Sequence, residues 1–149
     1  MIKEIQEFYL EISHSYDLVN SLLTLGLDAR WRKKTVKMAA KTCPYPGRIL
    51  DMCSGTGQTA FLLGRYLPPG ARITAADLSA PMLEKASERI SKKNVKNICF
   101  TFADAVKLPF KDKTFDIITI SFATRNLGAA PGHLMQAFRE FHRVLKPGG

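Results

Sequence analysis

The chain has 149 residues, of which 46% are hydrophobic, and its formal net charge at pH 7 is +9. A chain of this length and composition is the size of one globular domain, which excludes a disordered or fibrous protein. The positive charge predicts attraction to anionic surfaces, either nucleic acid or an acidic membrane leaflet, and does not choose between them.

The cysteines indicate whether the chain binds a metal or forms disulfides, and the N-terminal residues indicate its cellular compartment. Cys43, Cys53 and Cys99 are an odd number with no Cys-x-x-Cys pair, which argues against a disulfide framework or a zinc site, so no metal is expected. Charges interrupt residues 1–8, where a signal peptide needs its apolar core, and no apolar run approaches the ~20 residues of a membrane span. We therefore predict a soluble, cytoplasmic protein, with peripheral membrane contact as an open alternative.

Residues 1–44 predict a helical lid that precedes the main fold. Apolar side chains recur at helical spacing near residues 3–16, and a second helix follows Asp28. One side of this second helix carries basic residues at steps of three and four: Arg30, Lys33, Lys34, Lys37 and Lys41. That face is either a solvent-exposed surface or a contact with a membrane or another anionic ligand.

Residues 45–149 predict a Rossmann-like core, which together with the lid makes a single domain. Short apolar runs alternate with helical patterns, and turns rich in glycine or proline separate them. Strands are expected at 48–52, 71–76, 98–103 and 115–122, with helices that begin near Gln58, after Ser79 as a cap and after Pro131. This alternation predicts parallel βαβ units, and hence a doubly wound α/β sheet with the strand order 3-2-1-4.

The last four residues, Lys146 to Gly149, end a helix and open a turn of the kind that leads into another strand. We therefore expect the sheet to lack its C-terminal strands. If the apolar strand 115–122 is left as an edge, its unpaired N–H and C=O groups would favour self-association. A homodimer or a complementing chain is the expected protein partner.

The segment Asp51-Met-Cys-Ser-Gly-Thr-Gly57 stands where the first strand becomes a helix. Its glycines allow a sharp turn and let the backbone approach a ligand, with helix N-terminal amides pointing at it. The pattern Gly55-x-Gly57-x-x-Ala60 also satisfies the dinucleotide fingerprint, and Asp77 lies at the expected distance from it. A nicotinamide or flavin enzyme is therefore an alternative.

Three acidic residues narrow the choice of ligand. Asp51 precedes the loop, where it would repel a pyrophosphate but suits the cationic aminoacyl group and sulfonium of S-adenosylmethionine (SAM). Asp77 ends the second strand, where it can accept hydrogen bonds from ribose hydroxyls, and Asp104 ends the third, where it can accept from an adenine amine. Ligands of open α/β sheets bind at these carboxyl ends, so we predict SAM as the cofactor.

Short motifs typical of one enzyme family are spread over nearly the whole chain. They are Tyr16-Asp17-x-x-Asn20, Trp31-Arg32, Leu50-Asp51-x-x-Ser54-Gly55-Thr56-Gly57, Asp77-x-Ser79-x-x-Met82-Leu83, Asp104-Ala105, Leu108-Pro109-Phe110, Thr114-Phe115-Asp116, Ser121-Phe122, Arg125-Asn126 and Arg143-Val144-Leu145-Lys146-Pro147-Gly148-Gly149. With them the sequence resembles the ubiquinone/menaquinone biosynthesis C-methyltransferases, which are class I SAM-dependent methyltransferases. The Tyr-Asp and Arg-Asn elements are more specific than the glycine loop, which many small-molecule methyltransferases share.

The resemblance implies roles for individual residues. Arg125 and Asn126, just past the fourth strand, are expected to be catalytic and to face a quinol ring. The guanidinium would favour ionisation of the ring hydroxyl and orient a water or weak base. The expected cofactor-binding residues, from the resemblance and the loop together, are Asp51, Ser54, Gly55, Thr56, Gly57, Asp77, Leu78, Met82, Asp104, Ala105 and Ser121.

The leading prediction is therefore methyl transfer from SAM to a carbon of a prenylated, lipophilic quinol, with the basic helix and Trp31 helping the enzyme meet a membrane-embedded substrate. Two alternatives are a methyltransferase of another small molecule and a non-catalytic SAM-binding subunit that needs a partner chain. Nucleic acid is a disfavoured substrate, because Ser121-Phe-Ala-Thr-Arg-Asn126 stands where nucleic-acid amino-methyltransferases carry an Asn/Asp-Pro-Pro-Tyr loop.

Overall fold

The structure is a computed structural model that describes residues 16–123, 127–128 and 130–149, and of 16–18 and 20 only the backbone. The helix predicted near residues 3–16 lies outside this part of the chain. The described helices are α1 (Tyr16–Leu23), α2 (Leu27–Thr42), α3 (Gln58–Tyr66), α4 (Ala80–Ser91) and α5 (His133–Val144). The described strands are β1 (Arg48–Met52), β2 (Arg72–Asp77), β3 (Ile98–Phe102) and β4 (Ile117–Ile120).

The four strands form one parallel sheet with the order β3-β2-β1-β4. In the register of this sheet, Leu50 at the centre of β1 pairs with Thr74 of β2 and with Ile118 of β4. The predicted strand order and doubly wound α/β class are therefore confirmed. Because strand order reverses at β1, the carboxyl ends of β1, β2 and β4 border the crevice where such sheets bind ligands.

Helices cover both faces of the sheet. Successive side chains of a strand point to opposite faces, so Ile49 packs in a cluster with Val36 of α2 and Leu63 of α3, while Leu50 packs with Phe141 of α5. Both β1 residues are fully buried. The buried face of α2 thus fixes this helix to the core, and its five predicted basic residues are exposed on the other side.

The strand predicted at 115–122 is shorter in the structure at both ends. The N–H of Phe115 donates to the carbonyl of Val144 at 2.9 Å, which draws this residue towards the end of α5. Phe122 has a φ of 64°, and a left-handed residue cannot continue a strand. The edge strand β4 therefore keeps four residues, Ile117–Ile120.

The cap of α4 differs from the prediction in one detail. Ser79 occupies the N-cap position, but its hydroxyl makes no capping hydrogen bond and is buried without a partner. Instead, the N–H of Ser79 donates to Oδ1 of Asp77 at 2.9 Å. Ser79 is therefore the N-cap residue, as predicted, but the carboxylate two residues earlier, rather than the serine hydroxyl, holds the turn. None of the helices described is long and apolar enough to cross a membrane.

Candidate functional site

A cleft lies at the carboxyl edge of the sheet and encloses about 860 Å³ of space continuous with solvent. The glycine loop, the ends of β2 and β4 and the segment after β3 form most of it, and α2 contributes one wall. The lining residues are Arg32, Met52, Cys53, Ser54, Gly55, Thr56, Asp77, Leu78, Met82, Asp104, Ala105, Ser121, Phe122, Ala123 and Leu127.

Two glycines shape the loop between β1 and α3 for different reasons. Gly57 has a φ of 75°, and a Cβ there would lie 2.8 Å from the Cβ of Ala86, so only glycine lets α4 pack against the loop. Gly55 has a φ of 54°, and a Cβ there would meet no atom within 4 Å. Since Gly55 lines the cleft, its missing side chain leaves room for close approach of a ligand to the backbone.

Asp77 links the loop to the end of β2. Its Oδ2 accepts the N–H of Gly55 at 2.8 Å, and its Oδ1 accepts the N–H of Ser79 at 2.9 Å. Burial raises the pKa of this carboxyl, and the backbone N–H groups oppose the rise. Each carboxylate oxygen has a second lone pair, so Asp77 can still accept hydrogen bonds from vicinal hydroxyls in the cleft.

The segment after β3 supplies the second carboxylate of the cleft. Oδ1 of Asp104 accepts the N–H of Val106 at 3.1 Å, which fixes this side chain at the edge. Beside it the cleft is lined by the apolar side chains of Leu78, Met82 and Ala105. A carboxylate next to an apolar pocket can bind a planar base that carries an exocyclic amine.

Asp51 lies in β1, beneath the loop. It is only 1% exposed, and its Oδ1 accepts a hydrogen bond from the hydroxyl of Thr119 at 2.6 Å. Burial raises its pKa to about 7, although the Thr119 bond and the charge of Arg32 lower it. Its Oδ2 is buried with no hydrogen-bond partner. This residue is therefore a buried acid shared between two strands.

Cys53 follows β1 and also faces the cleft. Burial, reinforced by the negative charges of Asp77, Asp51 and Asp104, raises the pKa of this thiol to about 12. A thiol with such a pKa stays protonated near neutral pH and is a poor nucleophile. The side chain therefore acts as a small apolar wall residue.

The wall opposite the carboxylates was not predicted from the sequence. Arg32 of α2 lies over the ring of Phe122, with Cζ 4.7 Å from the ring centroid. The rings of Trp31 and Phe122 are 5.8 Å apart. Thr59 joins the guanidinium of Arg32 to the end of β4, since its hydroxyl is 3.4 Å from Nη1 and donates to Ser121 Oγ at 3.3 Å.

The structure brings nine of the eleven expected cofactor-binding residues to the cleft: Ser54, Gly55, Thr56, Asp77, Leu78, Met82, Asp104, Ala105 and Ser121. Asp51 lies beneath the loop in β1, and Gly57 at the end of the loop faces α4, so neither is a lining residue. The expected catalytic residues Arg125 and Asn126 lie outside the described residues. Ala123 and Leu127, on either side of them, both line the cleft. The roles of all these residues stay predictions.

Comparison with curated proteins gives long matches. The demethylmenaquinone methyltransferase of Thermus thermophilus is 40% identical over 141 residues, which cover 95% of this chain and 60% of that protein. The demethylmenaquinone methyltransferase of Lactiplantibacillus plantarum is 36% identical over 148 residues, which cover 99% of this chain and 60% of that protein. The chain thus spans about 60% of the length of these relatives.

Solved structures share the fold. A SAM-dependent methyltransferase from Aquifex aeolicus superposes with a TM-score of 0.66 at 25% identity, over 78% of this chain and 58% of that one. A protein from Methanococcus maripaludis reaches a TM-score of 0.75 at 23% identity, over 94% of this chain and 60% of that one. These likenesses confirm the Rossmann-like fold of class I methyltransferases.

The family comparison covers almost every residue. The model described as the ubiE/COQ5 methyltransferase family matches residues 2–149. This match agrees with the resemblance inferred from the motifs, and the curated relatives point to the same family. The chain belongs to the ubiE/COQ5 methyltransferase family.

Proposed function

We propose that this chain binds SAM in the cleft and serves an enzyme that methylates a ring carbon of a prenylated quinol. The observation that carries the proposal is the Asp77 carboxylate, which the N–H of Gly55 holds at the mouth of the glycine loop. A carboxylate in this place accepts hydrogen bonds from the two ribose hydroxyls of a bound nucleoside.

The residues of the cleft fit the proposed cofactor. Asp77 suits the ribose, and Asp104 with its apolar neighbours suits the adenine. Gly55 leaves open space for the aminoacyl chain. When bound, SAM supplies an electrophilic methyl group on a sulfonium. The protein residues need only orient the acceptor in line with that group and exclude water.

The acceptor class rests on the relatives and on the opposite wall. The curated relatives are demethylmenaquinone methyltransferases. In this chain Phe122 and Leu127 give the cleft an apolar and aromatic side suited to a flat ring. From the family resemblance we propose that Arg125 and Asn126 act on the ring hydroxyl, because a guanidinium stabilises the phenolate and so makes the ring carbon nucleophilic.

Contact with a membrane would give such an enzyme access to a lipophilic quinol. The last turn of α1 and the loop that follows it expose Leu22, Leu23 and Leu25, which are 65%, 79% and 90% accessible. The exposed basic face of α2 continues from this apolar turn. Apolar side chains next to a basic helix are typical of peripheral binding to anionic lipid. We propose a peripheral location on that basis.

A second copy or a complementing chain is the proposed protein partner. The side chains of Leu134, Met135 and Phe138 on α5 are exposed by 36%, 61% and 50%. Apolar surface of this kind favours association. Light scattering on the purified chain tests the proposal, which a stable monomer at micromolar concentration would contradict.

Calorimetric titration with SAM, S-adenosylhomocysteine (SAH) and NAD tests the cofactor. We expect the wild type to bind SAM and SAH but not NAD. Asp77→Ala should weaken SAM binding by about 100-fold, because it removes hydrogen bonds to a charged acceptor. Glu88→Ala, which removes an exposed carboxylate on α4, is the matched control and should leave affinity unchanged. Binding of NAD without SAM would overturn the proposed function.

A methyl-transfer assay on demethylmenaquinol tests the acceptor. Arg125→Ala should lower kcat by about 100-fold while SAH affinity stays the same, since the residue is proposed to act on the acceptor. Arg139→Ala removes an exposed arginine of α5 and should be as active as the wild type. Equal activity of the Arg125 and Arg139 variants would remove Arg125 from the mechanism.

A further inference from the structure

Arg32 is a buried cation at the edge of the cleft. Its exposed fraction is 9%, and its guanidinium stacks over the ring of Phe122. The polar contacts of the guanidinium are long: Nη2 lies 3.7 Å from the carboxylate of Asp28, and Nη1 lies 3.4 Å from the hydroxyl of Thr59. Nε is buried with no hydrogen-bond partner. A buried guanidinium with so few short contacts can still bind an anion.

The charges along the cleft are arranged by sign. Of the described residues that line it, Arg32 alone has a cationic side chain, and Asp77 and Asp104 are the anionic ones. Asp77 ends β2 and Asp104 follows β3, so both carboxylates lie on one side of the sheet. Arg32 lies instead against the first turn of α3 and, through Thr59, near Ser121 at the end of β4. The cleft is thus acidic over β2 and β3 and basic beside β4.

The proposed cofactor has a matching distribution of charge. Its adenosine presents neutral hydroxyl and amine donors, which suit carboxylates, whereas its aminoacyl end carries an α-carboxylate. If the adenosine occupies the side of Asp77 and Asp104, the aminoacyl end extends past Gly55 towards β4 and α3. The α-carboxylate then meets the basic side of the cleft, where a guanidinium can bind it through two N–H groups.

We propose that Arg32 binds the α-carboxylate of the cofactor and thereby selects ligands with an intact aminoacyl group. The inference rests on the proposed binding of SAM. Phe122 and Asp28 keep the guanidinium in place, so that little side-chain entropy is lost when the carboxylate arrives.

The test is a cycle of two ligands and two proteins, measured by calorimetry. The ligands are SAH and its decarboxylated analogue, which keeps the adenosine, the sulfur and the amine. The wild type should bind SAH about 10- to 100-fold more tightly than the analogue, as expected for a hydrogen-bonded ion pair. Arg32→Met should lose this preference. Its affinity for SAH should fall by the same factor, and its affinity for the analogue by less than about threefold.

Control variants separate a direct contact from loss of structure. Arg139→Met changes an exposed arginine of α5 to the same residue and should keep the full preference for SAH. Arg32→Lys keeps the charge but loses the bidentate geometry, so it should retain part of the preference. If Arg32→Met does not fold, as judged by thermal unfolding, the wild type and Arg32→Lys still provide the comparison.

The outcomes distinguish this inference from the function on which it rests. A wild type that binds neither SAH nor SAM would contradict the proposed function itself. A wild type that binds SAH and its decarboxylated analogue equally would overturn the role of Arg32 alone. The same conclusion follows if Arg32→Met keeps its preference for SAH but raises the KM for the quinol, because the guanidinium would then face the acceptor.

Discussion

Backbone groups and carboxylates near the loop build one side of the cleft, whereas side chains from distant parts of the chain build the other. On the loop side, which comprises residues 53–57, Asp77 and Asp104, the N–H of Gly55 binds Asp77 directly. On the aromatic side, which comprises Trp31, Arg32 and Phe122, ring stacking holds the groups together. The loop side depends on backbone conformation, and the aromatic side depends on tertiary packing.

Because of this difference, the two sides of the cleft suit different ligands. Backbone conformation at a βα turn is set locally and tolerates few residue types, so the loop side suits a constant ligand such as a cofactor. Stacked side chains can be exchanged without changing the fold, so the aromatic side suits recognition of an acceptor that varies among methyltransferases. Arg32 stands at the boundary, because it is stacked on the aromatic side but is proposed to bind the cofactor.

The largest expected effect comes from a methyl group on the loop side. Gly57→Ala places a Cβ 2.8 Å from that of Ala86 and keeps a φ of 75°, which an L-residue adopts with strain. We expect it to lower the free energy of unfolding by about 3 kcal/mol, from overpacking and backbone strain together. Urea denaturation measures the change.

Gly55→Ala is the matched control for that variant. Its Cβ meets no atom within 4 Å, so only the backbone strain at φ 54° remains, which is about 1 kcal/mol. This second variant should instead weaken SAH binding, because its methyl group stands in the cleft. Equal stability losses in the two variants would show that packing against α4 does not fix the loop.

The next largest expected effect is a change of stability with pH, which we attribute to Asp51, the buried acid beneath the loop. The folded-state pKa of Asp51 is raised from 3.8 to about 7 by burial. A raised pKa means that the folded protein holds the proton more tightly than the unfolded chain. The resulting stability is fully present below pH 3.8 and is lost as the pH rises through about 7.

Between pH 5 and 8 this loss amounts to about 3 kcal/mol in the wild type. Asp51→Asn has the same size and no titration, so its stability relative to the wild type should rise over that interval. Urea denaturation of both proteins at four pH values measures the difference between their free energies of unfolding. Taking this difference cancels the contributions of other titrating groups. A difference that stays constant with pH would mean that Asp51 is ionised in the folded protein at pH 5.

The loop side could be predicted from the sequence because its signals are contiguous. Gly55 and Gly57 follow an apolar strand, and the acids Asp77 and Asp104 follow the next two. Parallel topology alone then places their side chains at one edge. The ends of β4 were less predictable, because the φ of Phe122 and the bond from Phe115 to α5 depend on contacts outside the strand.

The aromatic side could not be predicted because its members look ordinary in the sequence. Arg32 is one of several basic residues in α2, and nothing local distinguishes it from the exposed Lys33 and Lys34. Its burial depends on Phe122, which follows β4 far along the chain. The motifs Trp31-Arg32 and Ser121-Phe122 were the available signal, and only the fold shows that they meet.

The smallest expected effect comes from the neighbour of Arg32. Trp31 is 48% exposed, its ring packs against that of Phe122 at a tilt of 35°, and it is the single tryptophan of the chain. Trp31→Ala should lower the free energy of unfolding by about 1 kcal/mol, the value of an aromatic pair, and change SAH affinity less than about twofold. Thermal unfolding and calorimetry measure the two quantities. Because Trp31 and Arg32 are adjacent in one helix, their variants separate the surface of the aromatic side from its cleft. If Trp31→Ala weakened SAH binding as much as Arg32→Met does, the loss of affinity would come from a shift of α2. Arg32 would then not mark the boundary between the two sides of the cleft.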